Sequence, residues 1–487
     1  MELFKVDVLG RDFLAVAQEL VLLSFALGVL LLGVILKGDR RRYTGYVALF
    51  GYVLAFLPLL GAIGRGYEAF SGMVVLDPFS LFFKVLILVV GFLVVLLSLD
   101  YTSREGIAFG EYYALVLLAS AGMMLMAGAA HLVTLFLGLE IMSIAIYALA
   151  GIMREDARSV EAAFKYFLLG AFASGFLLYG MALTYASTGA LHLREIEGVL
   201  AQKAWLTSFP LVLVGLGLLL VGFGFKLALV PFHMWTPDVY EGAPTSITAF
   251  MATGVKAAAF AGLLRVFFTA LPALEGHWRE LLWVLAVATM TLGNLVALRQ
   301  EDVKRMLAYS SIAHAGYIMV GFVVATELGR AAVLFYLFAY AFMNIGAFAV
   351  VALLGRRGAP NTLLEDYAGV GFKHPLLAVA MAVFLFSLAG VPPTAGFMAK
   401  FYVFSAAVKA GYYWLAVLGV LNSAVAAYYY LRVMVYMYFR EPKEGLQTGY
   451  PSFAGAVAIL IALWGVFQLG IMPSDFLALA QRSVQVF

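Results

Sequence analysis

Long apolar runs alternate with short polar segments along almost the whole chain, and this pattern predicts its architecture. A helix that crosses the hydrocarbon core of a bilayer needs about 20 predominantly apolar residues. Runs of that length recur between charged, glycine or proline breaks, so the sequence predicts an all-α polytopic membrane protein with about 14 transmembrane helices. The predicted spans lie near residues 13–36, 44–63, 78–99, 112–129, 131–152, 161–186, 208–231, 245–270, 280–298, 305–324, 330–354, 375–410, 413–438 and 452–471.

The composition leaves little room for a soluble domain. Of the 487 residues, 64% are hydrophobic and 12% are charged, whereas a soluble domain is about half apolar and about a quarter charged. The net charge of +3 is too small to indicate nucleic-acid binding. Cysteine is absent, which excludes disulfides and thiolate metal sites, and the six histidines show no metal-ligand spacing, so we expect no metal here.

The basic residues of the loops predict the orientation in the membrane. If the predicted helices alternate in direction, most loop Lys and Arg residues fall on one side, which the positive-inside rule assigns to the cytoplasm. Both termini are then expected on the external side. The basic loops lie at 37–42, 104, 154–158, 299–305, 356–373 and 440–443, the last of which includes Lys443.

Two predicted spans contain prolines that interrupt a continuous helix. Pro231 lies in LALVPFHMW, and Pro392 and Pro393 lie in SLAGVPPTAGFMAKF. Proline removes an intrahelical hydrogen bond and clashes with the preceding turn, and freed backbone at membrane depth must face protein or a wet cavity. Interrupted helices in matching places of two halves are typical of inverted-repeat transporters with their site at the breaks.

The spacing of the two breaks predicts how the chain is divided. The interrupted spans are five helices apart, and AAFKYFLLGAF in the first half is similar to AAVLFYLFAYAF in the second. We therefore predict two inverted five-helix repeats, each with one broken helix. The predicted regions are an N-terminal three-helix region at 1–110, repeats at 111–270 and 279–438, and a C-terminal helix at 439–487.

Five ionisable residues lie inside predicted spans: Glu140, Lys165, Lys226, Lys256 and Lys400. A charge at bilayer depth costs about 3 kcal/mol or more, so such residues are expected to be buried in the bundle and to have a function. One carboxylate and four amines at this depth predict a proton relay. The alternatives are a static ion pair between helices for the first two, snorkelling to the interface for Lys226 and Lys256, and a packing role for Lys400.

His314, beside Ser310 and Ser311, is a further candidate for the relay. Histidine titrates near neutral pH and can pass protons between lysines, although a buried histidine with satisfied hydrogen bonds is the alternative. Lys84 and Arg265 lie near the ends of predicted spans and are expected to snorkel toward the interface.

Nothing in the sequence predicts nucleotide binding or redox chemistry in this chain. There is no GxGxxG after a strand and no GxxxxGK[ST], and Cys or paired His ligands for a redox centre are lacking. The energy for proton movement is therefore expected from a partner. Asp238 and Glu241, in WTPDVYEGAP, are interpreted as turn and capping residues.

Several collinear segments resemble one known family. They resemble subunit N of NADH-quinone oxidoreductase, one of three antiporter-like membrane subunits of respiratory complex I, and Lys400 stands where a related subunit type carries a glutamate. The segments are EAAFKYFLLGAFASGFLLYG (161–180), FKLALVPFHMWTPDVYEGAPTSITAFMATGVKAA (225–258), DVKRMLAYSSIAHAGYIMVG (302–321) and LAGVPPTAGFMAKFYVF (388–404).

The resemblance implies a function as well as a fold. It implies that Glu140 and Lys165 form a carboxylate–lysine switch, followed by a proton relay through Lys226, Lys256, His314 and Lys400. It also implies a bacterial plasma (inner) membrane location and partners among the other membrane subunits of complex I, including the other antiporter-like subunits. NADH, FMN, iron–sulfur clusters and quinone are expected on partner subunits, with no cofactor in this chain.

Two other functions remain open on the sequence. A subunit of a multisubunit cation/proton antiporter, or of a related membrane-bound oxidoreductase, shares the fold and the lysines. A membrane scaffold that pumps nothing is the second, although a scaffold has no need of four intramembrane lysines.

Overall fold

The computed structural model describes residues 6–442, 449 and 452–487, and within them the all-α architecture is confirmed. One short antiparallel hairpin is formed by the strands Tyr67–Ala69 and Val74–Leu76. Lys443, which the sequence places in a cytoplasmic loop, lies outside the described residues.

The helices of the N-terminal half include the first interruption, which lies between α10 and α11. They are α1 Val6–Ala15, α2 Ala17–Ile35, α3 Tyr43–Ala55, α4 Leu57–Ala62, α5 Pro78–Glu105, α6 Gly110–Ala127, α7 Leu132–Ala150, α8 Ala157–Thr188, α9 Leu193–Gln202, α10 Pro210–Leu227 and α11 Thr236–Gly242.

The helices of the C-terminal half include the second interruption. They are α12 Thr245–Phe250, α13 Lys256–Arg265, α14 Glu275–Ala297, α15 Val303–Val324, α16 Glu327–Leu354, α17 Val370–Lys373, α18 Pro375–Ala389, α19 Ala395–Lys409, α20 Tyr413–Phe439, α21 Phe453–Ile471 and α22 Ser474–Ser483. Two π-helical segments, Met251–Val255 and Val266–Ala270, follow α12 and α13 and make 245–270 one continuous helix.

Thirteen helical stretches among the described residues are long and apolar enough to cross a membrane, so the chain is a multi-pass membrane protein. The interruption predicted within the span 375–410 is present, because α18 and α19 are two short helices with the Pro392–Pro393 segment between them. The division into two inverted repeats stays a prediction.

Polar caps at the ends of the spans set where helices begin. Asp77 and Ser80 form a capping box at the start of α5, and Asp302 accepts a hydrogen bond from the Arg305 backbone N–H at the start of α15. Such side chains satisfy the first backbone N–H groups of a helix, which have no intrahelical acceptor. The sequence thus places polar residues at the span ends and leaves the interiors apolar.

The central helices are almost wholly enclosed by the others. In the most apolar 18-residue stretch of the 245–270 helix, 100% of the residues are buried. In the corresponding stretch of α16, 94% of the residues are buried. Close approach of α6 and α7 depends on Gly122 and Gly138, because a Cβ on either would lie under 3 Å from the backbone of the other helix. Small residues of this kind let membrane helices pack tightly.

The expectation that Lys84 and Arg265 snorkel is wrong. Lys84 is 1% exposed, and its Nζ lies 2.8 Å from an oxygen of Glu19 in α2. Arg265 donates two hydrogen bonds, of 2.6 and 3.0 Å, to Asp77. Each cation is paired with a buried carboxylate from another segment, so its charge is compensated inside the bundle rather than by water at the interface.

Candidate functional site

The first helix break places Lys226 inside the bundle. The lysine lies in the last turn of α10 and is 2% exposed, so it does not snorkel. Its Nζ donates hydrogen bonds to Ser143 Oγ at 2.7 Å and to Tyr147 Oη at 3.1 Å, both on α7. The ammonium also lies 5.1 Å from the centroid of the Tyr147 ring. Hydroxyl groups and an aromatic ring therefore surround this cation.

The backbone of the first break is satisfied by an aromatic side chain. After α10 ends, Ala228 takes a left-handed conformation with φ of 57°, and Pro231 follows. Trp235 Nε1 donates to the carbonyl of Phe225 at 3.0 Å, and its ring stacks on Tyr166 with centroids 4.2 Å apart. The Phe225 carbonyl, which also accepts from the Ala228 backbone N–H, thus has two donors where α10 ends.

Glu140 and Lys165 each have other partners in this structure, so the switch between them stays a prediction. Lys165 Nζ lies 2.6 Å from both Glu161 and Asp238, and its side chain is 38% exposed. Glu140 accepts a hydrogen bond of 2.6 Å from Ser174 Oγ. The two residues are on consecutive helices, but Lys165 faces the loop end of the bundle, where other carboxylates are in reach.

Lys165 belongs instead to an ionic cluster between α8, α11 and α15. Arg305 Nη1 donates to Asp238 at 2.8 Å and to Glu241 at 2.7 Å. Partial burial raises the pKa of Asp238, but hydrogen bonds from Lys165 and Arg305 outweigh it and lower that pKa below its usual value. Asp238 and Glu241, interpreted from the sequence as turn and capping residues, lie inside α11 and are ion-pair partners instead.

Lys256 lies at the centre of the molecule. It is 2% exposed and begins α13, directly after the first π-helical segment. Its Nζ donates to the carbonyl oxygen and the hydroxyl of Ser311 on α15. Among the described residues it has no carboxylate partner, so the cation is held by neutral oxygens alone.

Ser311 and His314 lie one turn apart on α15. The neighbouring Ser310 hydrogen bonds to the hydroxyl of Tyr430, and Tyr430 Oη lies 3.3 Å from Nε2 of His314. The other ring nitrogen, Nδ1, lies 2.8 Å from Tyr336 Oη. Lys256 with Ser311, and His314 with Tyr430 and Ser310, are thus two hydrogen-bonded groups that meet at adjacent serines of α15.

The second break brings Lys400 to the end of α18. Gly390 has φ of 93° and ends that helix, and α19 begins at Ala395. Lys400 is 5% exposed, and its Nζ donates to the carbonyl of Ala389 at 2.9 Å. The ammonium lies 4.8 Å from the centroid of the Tyr317 ring.

A polar cavity opens at the loop end that contains the ionic cluster. Its volume is about 1130 Å³, and Tyr101, Glu241, Thr245 and Lys304 are among its lining residues. Lys304 is 5% exposed and donates to the carbonyls of Glu241 and Ala243. Tyr101 Oη accepts from the Thr245 backbone N–H, so the helix that contains Lys256 begins at this cavity.

The sequence missed the hydroxyl groups that link the charged residues. Ser143, Tyr147 and Tyr430 contact a relay candidate directly, but the chain contains 26 tyrosines, and nothing in the sequence distinguishes these two. Within residues 6–442 and 452–487, no three His, Asp or Glu side chains form a group that could hold a metal ion.

A family model described as NADH:quinone oxidoreductase/Mrp antiporter, TM, matches residues 129–426. The chain belongs to this family. The match includes both helix breaks and every relay candidate. The N-terminal helices that hold the Lys84–Glu19 pair lie before it.

Relatives of this antiporter-family chain extend over almost its full length. A protein of Trichlorobacter lovleyi named NADH-quinone oxidoreductase subunit N is 51% identical over 97% of this chain and 96% of its own. A chain of respiratory complex I from Thermus thermophilus with bound aureothin has 39% identity and a TM-score of 0.80, covering 95% of this chain and 99% of its own. A chain of an archaeal membrane-bound sulfane sulfur reductase has 28% identity and a TM-score of 0.85, with 96% of both chains covered.

Proposed function

We propose that this chain is a proton-translocating membrane subunit of a respiratory NADH:quinone oxidoreductase. The full-length similarity to proteins named subunit N supports it. The observation that carries the proposal is the series of enclosed titratable groups, Lys226, Lys256, His314 and Lys400, each on neutral oxygens, nitrogens or rings rather than on a carboxylate. Such groups in a membrane interior mark ion pathways.

In the proposed relay, protons pass between these groups through hydroxyls and water. The Lys256–Ser311 hydrogen bond and the Ser310–Tyr430–His314 series, which begin at adjacent serines, support one segment of it. Moving one charge against 100 mV costs about 2.3 kcal/mol, so electrostatic rearrangement near a single lysine is sufficient in a medium of low dielectric.

Glu140 enters the relay from the side of Lys226 rather than Lys165. The residues Glu140, Ser143 and Tyr147 are spaced three and four apart on α7, which places them along one face of the helix. Ser143 and Tyr147 hold the Lys226 ammonium, so a charge change at Glu140 acts one turn away from it. Lys165 then serves the ionic cluster at the helix ends.

Partner subunits supply the redox chemistry in this proposal. NADH, FMN, iron–sulfur clusters and quinone belong to those partners, which include further antiporter-like membrane subunits. The positive-inside pattern places both termini on the external side of a bacterial inner membrane. The cavity beside Lys304 then faces the cytoplasm and gives water access to the first residues of the Lys256 helix.

A second candidate is a subunit of a related membrane-bound oxidoreductase with another electron donor. The structural likeness to a chain of the archaeal sulfane sulfur reductase favours it over a scaffold without transport. Purification of the native complex decides between the two, because quinone reduction driven by NADH is expected only of an NADH dehydrogenase.

The test of the relay is Lys256→Ala in the assembled complex, reconstituted into liposomes. Alanine is compatible with the apolar surroundings, so we expect normal assembly and a lower proton-to-electron ratio during NADH oxidation. Lys409→Ala is the matched control, because Lys409 is exposed at the end of α19. An unchanged ratio in assembled Lys256→Ala would remove the lysine from the relay.

A further inference from the structure

The Lys400 ammonium contacts a backbone carbonyl and an aromatic ring. An ammonium offers three N–H donors, but the carbonyl of Ala389 is the one hydrogen-bond acceptor found for it in the described part of the chain. No carboxylate pairs with it there either. The ammonium also lies over the ring of Tyr317, whose centroid is 4.8 Å from Nζ.

The Tyr317 ring is fixed from several sides. It is completely buried, and its Oη accepts a hydrogen bond of 2.8 Å from Asn294 Nδ2. The Oδ1 atom of Asn294 accepts in turn from Tyr429 Oη at 2.9 Å. The edge of Phe404 packs on the ring at a centroid distance of 6.2 Å and an interplanar angle of 85°. The ring therefore presents a constant face.

The second break provides the space in which the ammonium reaches that face. A Cβ on Gly390 would lie 3.0 Å from Cδ and 3.5 Å from Nζ of Lys400. Tyr317 also lies 5.6 Å from the His314 ring, centroid to centroid, and nearly perpendicular to it. Tyr317 is thus close to both the imidazole and the last lysine.

We propose that the face of Tyr317 is the positioning surface for the charged form of Lys400. The negative face of an aromatic ring attracts a cation within about 6 Å, more strongly where water is excluded. The ring stabilises the ammonium without forming an ion pair, so the lysine keeps its charge at the break and stays free to release it. This inference rests on the proposed function, since it assigns a role to Tyr317 in that relay.

The experiment varies the charge of the ring face at constant shape. Position 317 of the full complex receives phenylalanine, then 4-fluoro-, 3,5-difluoro- and 3,4,5-trifluorophenylalanine by amber suppression, because fluorine withdraws electron density from the face. Proton pumping in liposomes is expected to be near normal with phenylalanine and to fall stepwise with fluorination. Tyr317→Leu is expected to lower the pumping rate about tenfold, the equivalent of about 1.4 kcal/mol.

Two controls separate this role from packing and from failure of the relay. Tyr113→Leu removes an equally buried ring that hydrogen bonds to Thr102 in the N-terminal region, and its pumping rate should stay within a factor of about two of normal. Lys400→Ala tests the relay itself. Equal pumping across the fluorinated series, with pumping lost in Lys400→Ala, overturns the role of Tyr317 and leaves the proposed function standing. Normal pumping in Lys400→Ala overturns both.

Discussion

The two helix breaks hold a lysine in opposite ways. At the first, Lys226 precedes the break and donates to two hydroxyls of α7. At the second, Lys400 follows the break and donates to a carbonyl freed where α18 ends, with a ring face behind it. Hydroxyls can accept and donate protons, whereas a carbonyl and a ring face stabilise the cation and pass nothing on. The comparison indicates that hydroxyls continue the relay directly at the first break, whereas the second break positions the charged lysine until it releases its proton.

Removing either lysine should have the largest effect on this comparison. We expect Lys226→Ala and Lys400→Ala to assemble and to lower proton pumping by about two to four orders of magnitude, the scale of a lost acid–base group. Acidification of liposomes during NADH oxidation measures the rate. Assembled complexes that pump normally would show that the breaks are structural only.

The left-handed residue at each break gives a second, smaller contrast. Gly390→Ala adds a side chain at φ of 93°, at a cost of about 1–2 kcal/mol, and pushes on Lys400. Ala228→Gly relieves the same strain at the first break, where φ is 57°. We expect a lower thermal inactivation temperature for the first variant and an equal or higher one for the second. The opposite order would contradict the assigned backbone strain.

The hydroxyls at the first break should be individually modest. Ser143→Ala and Tyr147→Phe each remove one acceptor worth about 0.5–1.5 kcal/mol, so we expect pumping to fall a few-fold in each. The double variant leaves Lys226 without either hydroxyl and should lose more than the product of the two. Strictly multiplicative losses would mean that the two groups act on Lys226 independently.

The ionic cluster around Asp238 should have the smallest effect at neutral pH. Its side chain is 34% exposed, and ion pairs of that exposure are worth about 1 kcal/mol or less. The folded-state pKa is below the usual value, so the contribution is present above that value and is lost as the pH falls through the folded pKa. The thermal inactivation temperature of Asp238→Asn should therefore be lower than that of the wild type at neutral pH. The two temperatures should converge in strong acid. A difference that grows on acidification would reverse the sign.

The sequence predicted those features that depend on local residue types, namely the spans and their interruptions. Apolar length placed the spans, to the residue for 245–270, and proline with glycine placed both interruptions. It did not predict which side chains of neighbouring helices contact each other. Glu161, one turn before Lys165, and Asp238, beyond the first break, are both nearer to that lysine than Glu140 is to any cation of the described chain.

The sequence also did not predict the hydrogen-bond partners of the buried lysines. A serine or tyrosine becomes part of a relay through its orientation, and its residue type carries no signal of that. Lys84 and Arg265 show the same limit from the other side, because their carboxylates come from distant segments of the chain.

The most direct test of the account is the proton-to-electron ratio of assembled complexes carrying Lys226→Arg or Lys400→Arg. Arginine keeps the positive charge, but it does not release its proton in proteins. If the breaks work by proton exchange at these lysines, both variants assemble, remain charged and show a reduced ratio. A normal ratio in both would mean that a fixed charge is sufficient and would contradict proton transfer through Lys226 and Lys400.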